Sequence, residues 1–350
     1  INLYKNFGTI VNTTKTDKFI IEVAIPLYLD RIFHYLVPDT LLAQALPGRR
    51  ALVPFGRRKL TGYILGTAKD SPIETLKEIL EVLDDEPLWT GKEDEFFRWV
   101  ASYYMHPLGE VLKTALPAGI NVQTRKGDSG EDAALTGGKS ARREKFCLPR
   151  SDHESARPLG AKALEMLEVI RESGDIPAAI LRKRFGNCTP QLKRLCELGL
   201  IQVEEREVYR DPFKNKSVKR DEPRLLHTHQ KSALEAISSC LDLHTFAPFL
   251  LYGVTGSGKT EVYLQAISKA LEQGKSALVL VPEIALTPQL TGRFQARFGG
   301  GIAILHSGLS DGERYDEWRR IRRGLARIVI GARSAVFAPL ENIVIIIVDE

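Results

Sequence analysis

The run Gly253-Val-Thr-Gly-Ser-Gly-Lys-Thr260, set directly after the apolar stretch Phe249–Tyr252, restricts the fold more than any other segment. It fits G-x-x-x-x-G-K-[ST] in the strand–loop–helix order that gives the pattern its meaning. Glycines there let backbone N–H groups wrap a phosphate, and the helix that follows turns its positive end toward it. Gly253, Thr255, Gly256, Ser257, Gly258, Lys259 and Thr260 are therefore the expected nucleotide-binding residues. Lys259 would reach the β- and γ-phosphates, and Thr260 would ligate Mg²⁺.

Four more apolar runs follow, Ala277–Val281, Ala303–Leu305, Ile328–Ile330 and Ile343–Val348, separated by helical segments. Strands apolar throughout are buried on both faces, so residues 225–350 read as a doubly wound parallel α/β domain with five strands. The last run ends in Asp349-Glu350, which puts two carboxylates at the carboxyl edge of the sheet beside the loop. Asp349 is the expected Mg²⁺ ligand, and Glu350 the group that orients or deprotonates an attacking water. A plain acidic cap is the alternative, but a second acid beside a phosphate loop favours a hydrolase. Lys259, Asp349 and Glu350 are thus the expected catalytic set.

A chain of 350 residues exceeds what one core organises, so two further domains are expected ahead of this one. Lys18–Ala24 and Ala51–Thr67 are rich in β-branched and aromatic residues, and Glu93–Tyr104 has helical character, which gives a small β-rich domain over 1–120. Residues 121–143 turn to Gly, Ser, Lys and Asp and read as a linker, as do 211–224. Between them, 144–210 show a short strand at Lys145–Leu148, three helices, and a hairpin of Leu200–Val203 with Glu207–Tyr209. That is the order of a winged helix, whose third helix would carry Lys193 and Arg194 to DNA. A solvated basic face is the alternative. Residues 121–224 hold 22 Lys/Arg against 17 Asp/Glu, which accounts for the whole net charge of +5.

No run is long enough to span a bilayer, and the four cysteines have neither the spacing of a zinc site nor that of a disulfide framework. A soluble cytoplasmic protein with reduced cysteines is expected.

Further blocks make the chain recognisable. Gly253 to Tyr263, Val281-Pro-Glu-Ile-Ala-Leu-Thr-Pro-Gln289, Leu305-His-Ser-Gly-Leu-Ser310 with Glu313-Arg314 and Trp318, and Gly331-Ala-Arg-Ser-Ala-Val-Phe-Ala-Pro339 stand in family order. So do Phe33-His-Tyr-Leu-Val-Pro38, Val53-Pro-Phe-Gly56, Tyr103-Tyr104 and Ala115-Leu-Pro117. The chain resembles the PriA (primosomal protein N′) family of superfamily 2 DNA helicases. The resemblance implies an ATP-driven 3′→5′ motor that recognises branched or forked DNA, binds single strands and initiates primosome assembly. It also implies single-strand binding protein and loader proteins as partners.

Residue by residue, the resemblance makes Gln230 an adenine-reading glutamine, with a surface glutamine as the alternative. Thr287, Arg333 and Ser334 would follow the strand backbone, unless each is a cap or turn residue. A DNA-end pocket is expected near Phe33, His34, Tyr35, Phe55, Gly56 and Arg57. His34 departs from the family, whose members often carry an acid there. Beyond Glu350 the family continues into a zinc module and a second motor lobe, so zinc is expected only in that part, and this chain alone is expected to turn over little or no ATP. Two other readings stay open: a non-catalytic fork-binding protein, and a P-loop NTPase unrelated to DNA.

Overall fold

The computed structural model describes residues 19–117, 119–124, 135–137, 142–150, 159–210, 219–254 and 256–349. Period-two alternation builds its first unit. β1 (Ile20–Ala24) and β2 (Ile32–Leu36) pair antiparallel, and β3 (Arg50–Phe55) and β4 (Arg58–Ala68) form a hairpin across Gly56-Arg57. Gly56 takes φ +59 at the first central position of this two-residue turn, where the backbone must be left-handed. β5 (Glu81–Val82) completes the order β2-β1-β4-β3-β5. Ile21, Val23, Tyr35, Val53 and Ile64 fill one face of this sheet. Ala24, Tyr63 and Leu65 lie on the other, under α1 (Gly91–Tyr103) and α2 (Leu108–Ala115). Glu93 closes a capping box on Thr90 at the start of α1.

The start of the expected 121–143 linker is not loose. β6 (Val122–Thr124) joins β4, and β7 (Leu135–Gly137) joins β6. Thr61 explains the attachment: its hydroxyl donates to the Val122 carbonyl at 2.9 Å and accepts from the Val122 N–H at 2.7 Å. The Tyr63 hydroxyl adds a bond to Asn121 at 3.0 Å. Polar composition suggested a spacer, but a buried threonine supplied both hydrogen-bond partners the backbone needed. Residues 125–134 and 138–141 of that segment, and 211–218 of the second expected linker, lie outside the described residues.

The second unit runs β8 (Arg143–Pro149), α3 (Ala161–Ser173), β9 (Ile176–Pro177), α4 (Ala178–Phe185), α5 (Thr189–Glu197) and β10 (Ile201–Glu207), with strand order β10-β8-β9. Met166, Ile170, Leu181 and Leu195, one or two from each helix, meet Cys147 and Ile201 in one core. The expected hairpin is absent: 201–207 form a single strand, which pairs along its whole length with β8. Glu204-Glu205-Arg206 contains no turn former, so nothing breaks the strand.

The third unit is the parallel α/β domain. α6 (Thr228–Asp242) and α7 (Lys259–Glu272) precede β11 (Ser276–Leu280), α8 (Pro288–Phe298), β12 (Ile302–Leu305), α9 (Asp311–Arg322), β13 (Ile328–Gly331) and β14 (Ile343–Val348). The strands lie in the order β12-β13-β11-β14, all parallel. Ala277, Val279, Ile304 and Ile330 face α7 and α8, while Leu278, Ala303 and Val329 face α9. Burial on both faces holds for β11, β12 and β13 but not for β14, an edge strand whose Ile346 and Val348 are 58% and 64% exposed, and the strand count also falls short of the expected five. Residues 245–254 form no strand, and Leu250 and Tyr252 are 90% and 94% exposed. Apolar composition gives a segment the propensity for a strand but not an edge to pair with, and here none is taken.

α9 joins the three units. Trp318 is buried in the first unit's helical core, and Arg322 bonds the Pro87 carbonyl at 3.0 Å. On the next face Asp316, fully buried, accepts from the Arg210 N–H at 3.0 Å and its guanidinium at 2.7 Å, and Arg319 pairs with Glu207 at the end of β10.

Candidate nucleotide and nucleic-acid sites

The phosphate loop is shaped by its ends. Gly258 at φ +82 is the N-cap of α7, so the first free N–H groups of that helix open into the loop. The Lys259 ammonium donates to the Gly253 carbonyl at 2.5 Å and to Val254 at 3.3 Å, which folds it across the loop it belongs to. Gln230 lies against the same loop: its amide donates to the Ser257 and Gly258 carbonyls at 3.0 and 3.4 Å. Its other end is already used, since Oε1 accepts the His227 N–H at 3.1 Å in the capping box of α6. Gln230 is thus both a helix cap and a loop contact, a combination the sequence does not disclose. Thr255 and Glu350 lie outside the described residues.

Asp349 comes off β14 beside the loop's helix. Its carboxylate accepts the Tyr263 hydroxyl at 3.2 Å, and burial together with that acid pushes the phenol up to about 12. Thr260 and Tyr263 are i,i+3 neighbours on α7, so the face that meets Asp349 also carries the Thr260 hydroxyl. A hydroxyl and a carboxylate form an oxygen-only donor set of the kind that suits Mg²⁺. Tyr263 escaped the sequence reading, although it closes the Gly253–Tyr263 block.

A second carboxylate sits one residue past Thr260. Burial pushes the Glu261 carboxyl up, but hydrogen bonds from Arg297, Gln265 and the Arg224 N–H outweigh it and leave the group below its ordinary range. Arg297 also holds Asp221 at 2.8 Å, lowering that acid as well. This latch fixes the chain leading into α6 against α7 and α8.

The expected DNA contacts fall into distinct surroundings. Thr287 is the N-cap of α8, its hydroxyl accepting the Leu290 N–H at 3.3 Å, so it has a structural task already. Arg333 and Ser334 are exposed on the short 3₁₀ turn after β13. Phe337, at the end of that turn, reaches the rings of Phe96 and Phe97 on α1 at 5.9 and 6.2 Å. Lys193 and Arg194 are exposed on α5.

The six residues expected near a DNA-end pocket do not share one. Strand alternation turns Phe33 and Tyr35 into the first core, where Phe33 meets Phe55 edge-on and the Tyr35 hydroxyl donates to the Pro54 carbonyl at 3.2 Å. Burial pushes the Tyr35 phenol up to about 12. His34 faces the opposite way, its Nδ1 2.9 Å from the Ser71 hydroxyl, and Gly56 and Arg57 form the hairpin tip.

Residues 22–117 match the 3'DNA-binding domain (3'BD) of PriA, and residues 227–350 match the DEAD/DEAH box helicase family. The replication restart protein PriA of Bacillus subtilis is 35% identical over 92% of this chain, and that of Haemophilus influenzae 38% over 95%. The chain belongs to the PriA family. It spans about half the length of the curated relatives it matches, 47% and 44% of these two, with PriA of Chlamydia pneumoniae again covered over 44% at 32% identity. The PriA signature thus covers both the β-rich unit holding His34 and the unit holding Lys259 and Asp349. No helix among the described residues is long and apolar enough to cross a membrane.

Proposed function

We propose that this chain carries the DNA-end recognition and the first motor lobe of a 3′→5′ DNA helicase of replication restart, one that recognises stalled or branched forks and initiates primosome assembly. The observation that supports it most is the succession, on one chain that matches PriA over 92% of its length, of a PriA 3′ DNA-binding domain and a DEAD/DEAH box helicase domain. In this reading Lys259 and the loop from Gly253 to Thr260 hold the ATP phosphates. Thr260 and Asp349 hold Mg²⁺, and Glu350 prepares the attacking water. The Lys259 ammonium then exchanges its two loop carbonyls for phosphate oxygens. The domain layout is 1–120 for the DNA end, 144–210 for a winged helix and 225–350 for the motor. The single core of three helices backed by a three-stranded sheet supports the winged-helix assignment, with Lys193 and Arg194 toward DNA. Arg333 and Ser334 are the backbone-tracking pair. Single-strand binding protein and loader proteins are partners by family likeness, and the compartment is the cytoplasm.

A second reading draws support from the loop itself. With Lys259 turned onto its own carbonyls and the preceding residues unpaired, the 350-residue chain acts as a fork binder with weak nucleotide affinity and little turnover.

Fluorescence anisotropy across a salt series tests the end-recognition core of the proposal. The probes are a fork whose annealed leading strand ends in a 3′-hydroxyl, the same fork ending in a 3′-phosphate, and a duplex with no accessible 3′ end. Tighter binding to the hydroxyl-ended fork is expected. Equal binding to all three would sink 3′-end recognition, and absence of any DNA binding would sink the restart reading altogether.

A further inference from the structure

The face of the first sheet that carries His34 holds a second chemical group. In register, His34 of β2 lies directly opposite Glu22 of β1, and Glu22 directly opposite Gly66 of β4. Opposed residues on antiparallel strands share a face with Cβ atoms about 5 Å apart, so an imidazole, a carboxylate and a bare backbone stand in one row across three strands. Glu22 and His34 are both half-buried.

The row is open where a side chain would normally close it. A Cβ added at Gly66 meets only the Glu22 Oε2, at 3.8 Å. Gly66 does not use a left-handed backbone, so its conformation gives no reason for glycine. A glycine within a strand weakens it and often marks a bulge or a place where something else approaches closely. The β-bulge between Glu22 and Val23 falls at the same point, and bulges of this kind re-aim side chains next to binding sites.

The ring of His34 is held rather than free. Ser71 Oγ lies 2.9 Å from Nδ1 and also accepts the Ile73 N–H at 3.2 Å. Ser71 Oγ keeps a second lone pair as well as its proton, so it satisfies either tautomer of His34; the tautomer that serves a ligand is the one in which Ser71 donates to Nδ1. Nε2 then carries the ring's N–H as a donor. In that tautomer the row presents one acceptor, the Glu22 carboxylate, and one donor, His34 Nε2, on either side of the line between β1 and β2.

We propose that Glu22 supplies the carboxylate that reads a terminal 3′-hydroxyl in this chain, with His34 donating to a sugar oxygen and the slot over Gly66 admitting the sugar edge. This rests on the 3′-end reading above. The chemistry is selective in both directions: a 3′-hydroxyl has a proton for the carboxylate, whereas a 3′-phosphate has two negative charges that the carboxylate repels. The acid expected at position 34 is thus replaced from the neighbouring strand.

The test compares the 350-residue chain with Glu22→Gln and Gly66→Ala on the hydroxyl-ended fork, the phosphate-ended fork and the endless duplex. Wild type is expected to prefer the hydroxyl end by roughly 10-fold or more, the scale of one charge-assisted hydrogen bond. Glu22→Gln should bring that preference to within about twofold, largely by gaining affinity for the phosphate end, while leaving duplex binding unchanged. Gly66→Ala should weaken the hydroxyl-ended fork alone, with circular dichroism and melting temperature as in wild type, since the added methyl touches nothing else. If wild type discriminates and Glu22→Gln discriminates equally, the role of Glu22 is overturned and 3′-end recognition stands. Should wild type itself fail to discriminate, the underlying reading falls, and this one with it.

Discussion

Gly258 shows how one backbone position can serve a cap and a site together. Its φ of +82 costs an L-residue about 1–2 kcal/mol, and an added Cβ would lie 2.3 Å from Gln230 Nε2, the atom that ties α6 to the phosphate loop. Gly256 has nearly the same φ, +83, but open space around it. Gly256→Ala is therefore expected to lose only the backbone cost, about 1–2 kcal/mol in denaturant melts. Gly258→Ala should lose that and also release the Gln230 amide, visible as a further drop in affinity for a fluorescent ATP analogue. Equal losses in both variants would mean that the Gln230 contact contributes nothing. The buried phenols make a second prediction at this scale. Tyr35 and Tyr263 are pushed up to about 12 and Tyr63 higher still, each chiefly by burial, against about 10 for an unfolded phenol. A group whose folded pKa is raised contributes its full stability below the unfolded value and loses it as pH rises through the folded one. Stability should thus hold up to about pH 10 and fall between pH 10 and 12. Absorbance titration of the phenolates should show these three ionising only as the chain unfolds. Ionisation near pH 10 in the folded state would contradict their burial.

Among the elements, those with internal periodicity were readable from the sequence, and those defined by a distant partner were not. β3 and β4 are legible from their branched residues and the Gly56-Arg57 turn, and α3 from Leu164, Leu167 and Ile170, although Leu164 is 46% exposed and Met166 takes the buried place beside the other two. By contrast, β6 exists because Thr61, far away in sequence, accepts and donates to one of its residues. The expected strand at Phe249–Tyr252 has the same composition as its neighbours but no edge to pair with, and α2 is too short to stand out before its apolar face meets the sheet. The site follows the same rule: Lys259 and Asp349 are legible as a motif, whereas Tyr263 and the Arg297 latch are tertiary. α9 is the element on which the units depend. Removing the Trp318 ring should cost about 3–5 kcal/mol as a cavity at the junction. Asp316→Ala should cost a similar amount, about 3–5 kcal/mol, because it leaves the buried Arg319 without one of its partners and Arg210 without its acid. Trp318→Ala is expected to split denaturation into separate transitions for the first and third units, followed by near-UV circular dichroism against intrinsic fluorescence. A single, merely shifted transition would mean that the units are held together elsewhere.

At the scale of the whole molecule, fewer of the Lys/Arg in residues 121–224 are available to phosphates than a count of side chains implies, because several are already committed to ion pairs. Arg206 is paired with both Asp175 and Glu204, Arg210 with Asp316, and Arg142 with Glu144. Arg182 and Lys183, exposed on α4, have no ion-pair partner among the described residues, while Lys193 on α5 is 3.8 Å from Glu197. Counterion release counts only charges that meet phosphates, so the salt dependence of DNA binding separates these classes where affinity alone would not. Each phosphate contact contributes about 0.7–0.9 to the slope of log K against log salt, the lower figure for single strands. If the second unit meets duplex DNA through α4 and α5, Arg182→Ala with Lys183→Ala should lower the slope by about 1.5, and Lys193→Ala by less than one contact, since it already shares its charge with Glu197. Arg206→Ala should leave the slope unchanged and lower the melting temperature instead, because its guanidinium is committed to two carboxylates and the Phe146 ring. A reduced slope on losing Arg206, with none on losing Arg182 and Lys183, would move the DNA face to the β10 side of the unit and overturn the assignment to α4 and α5.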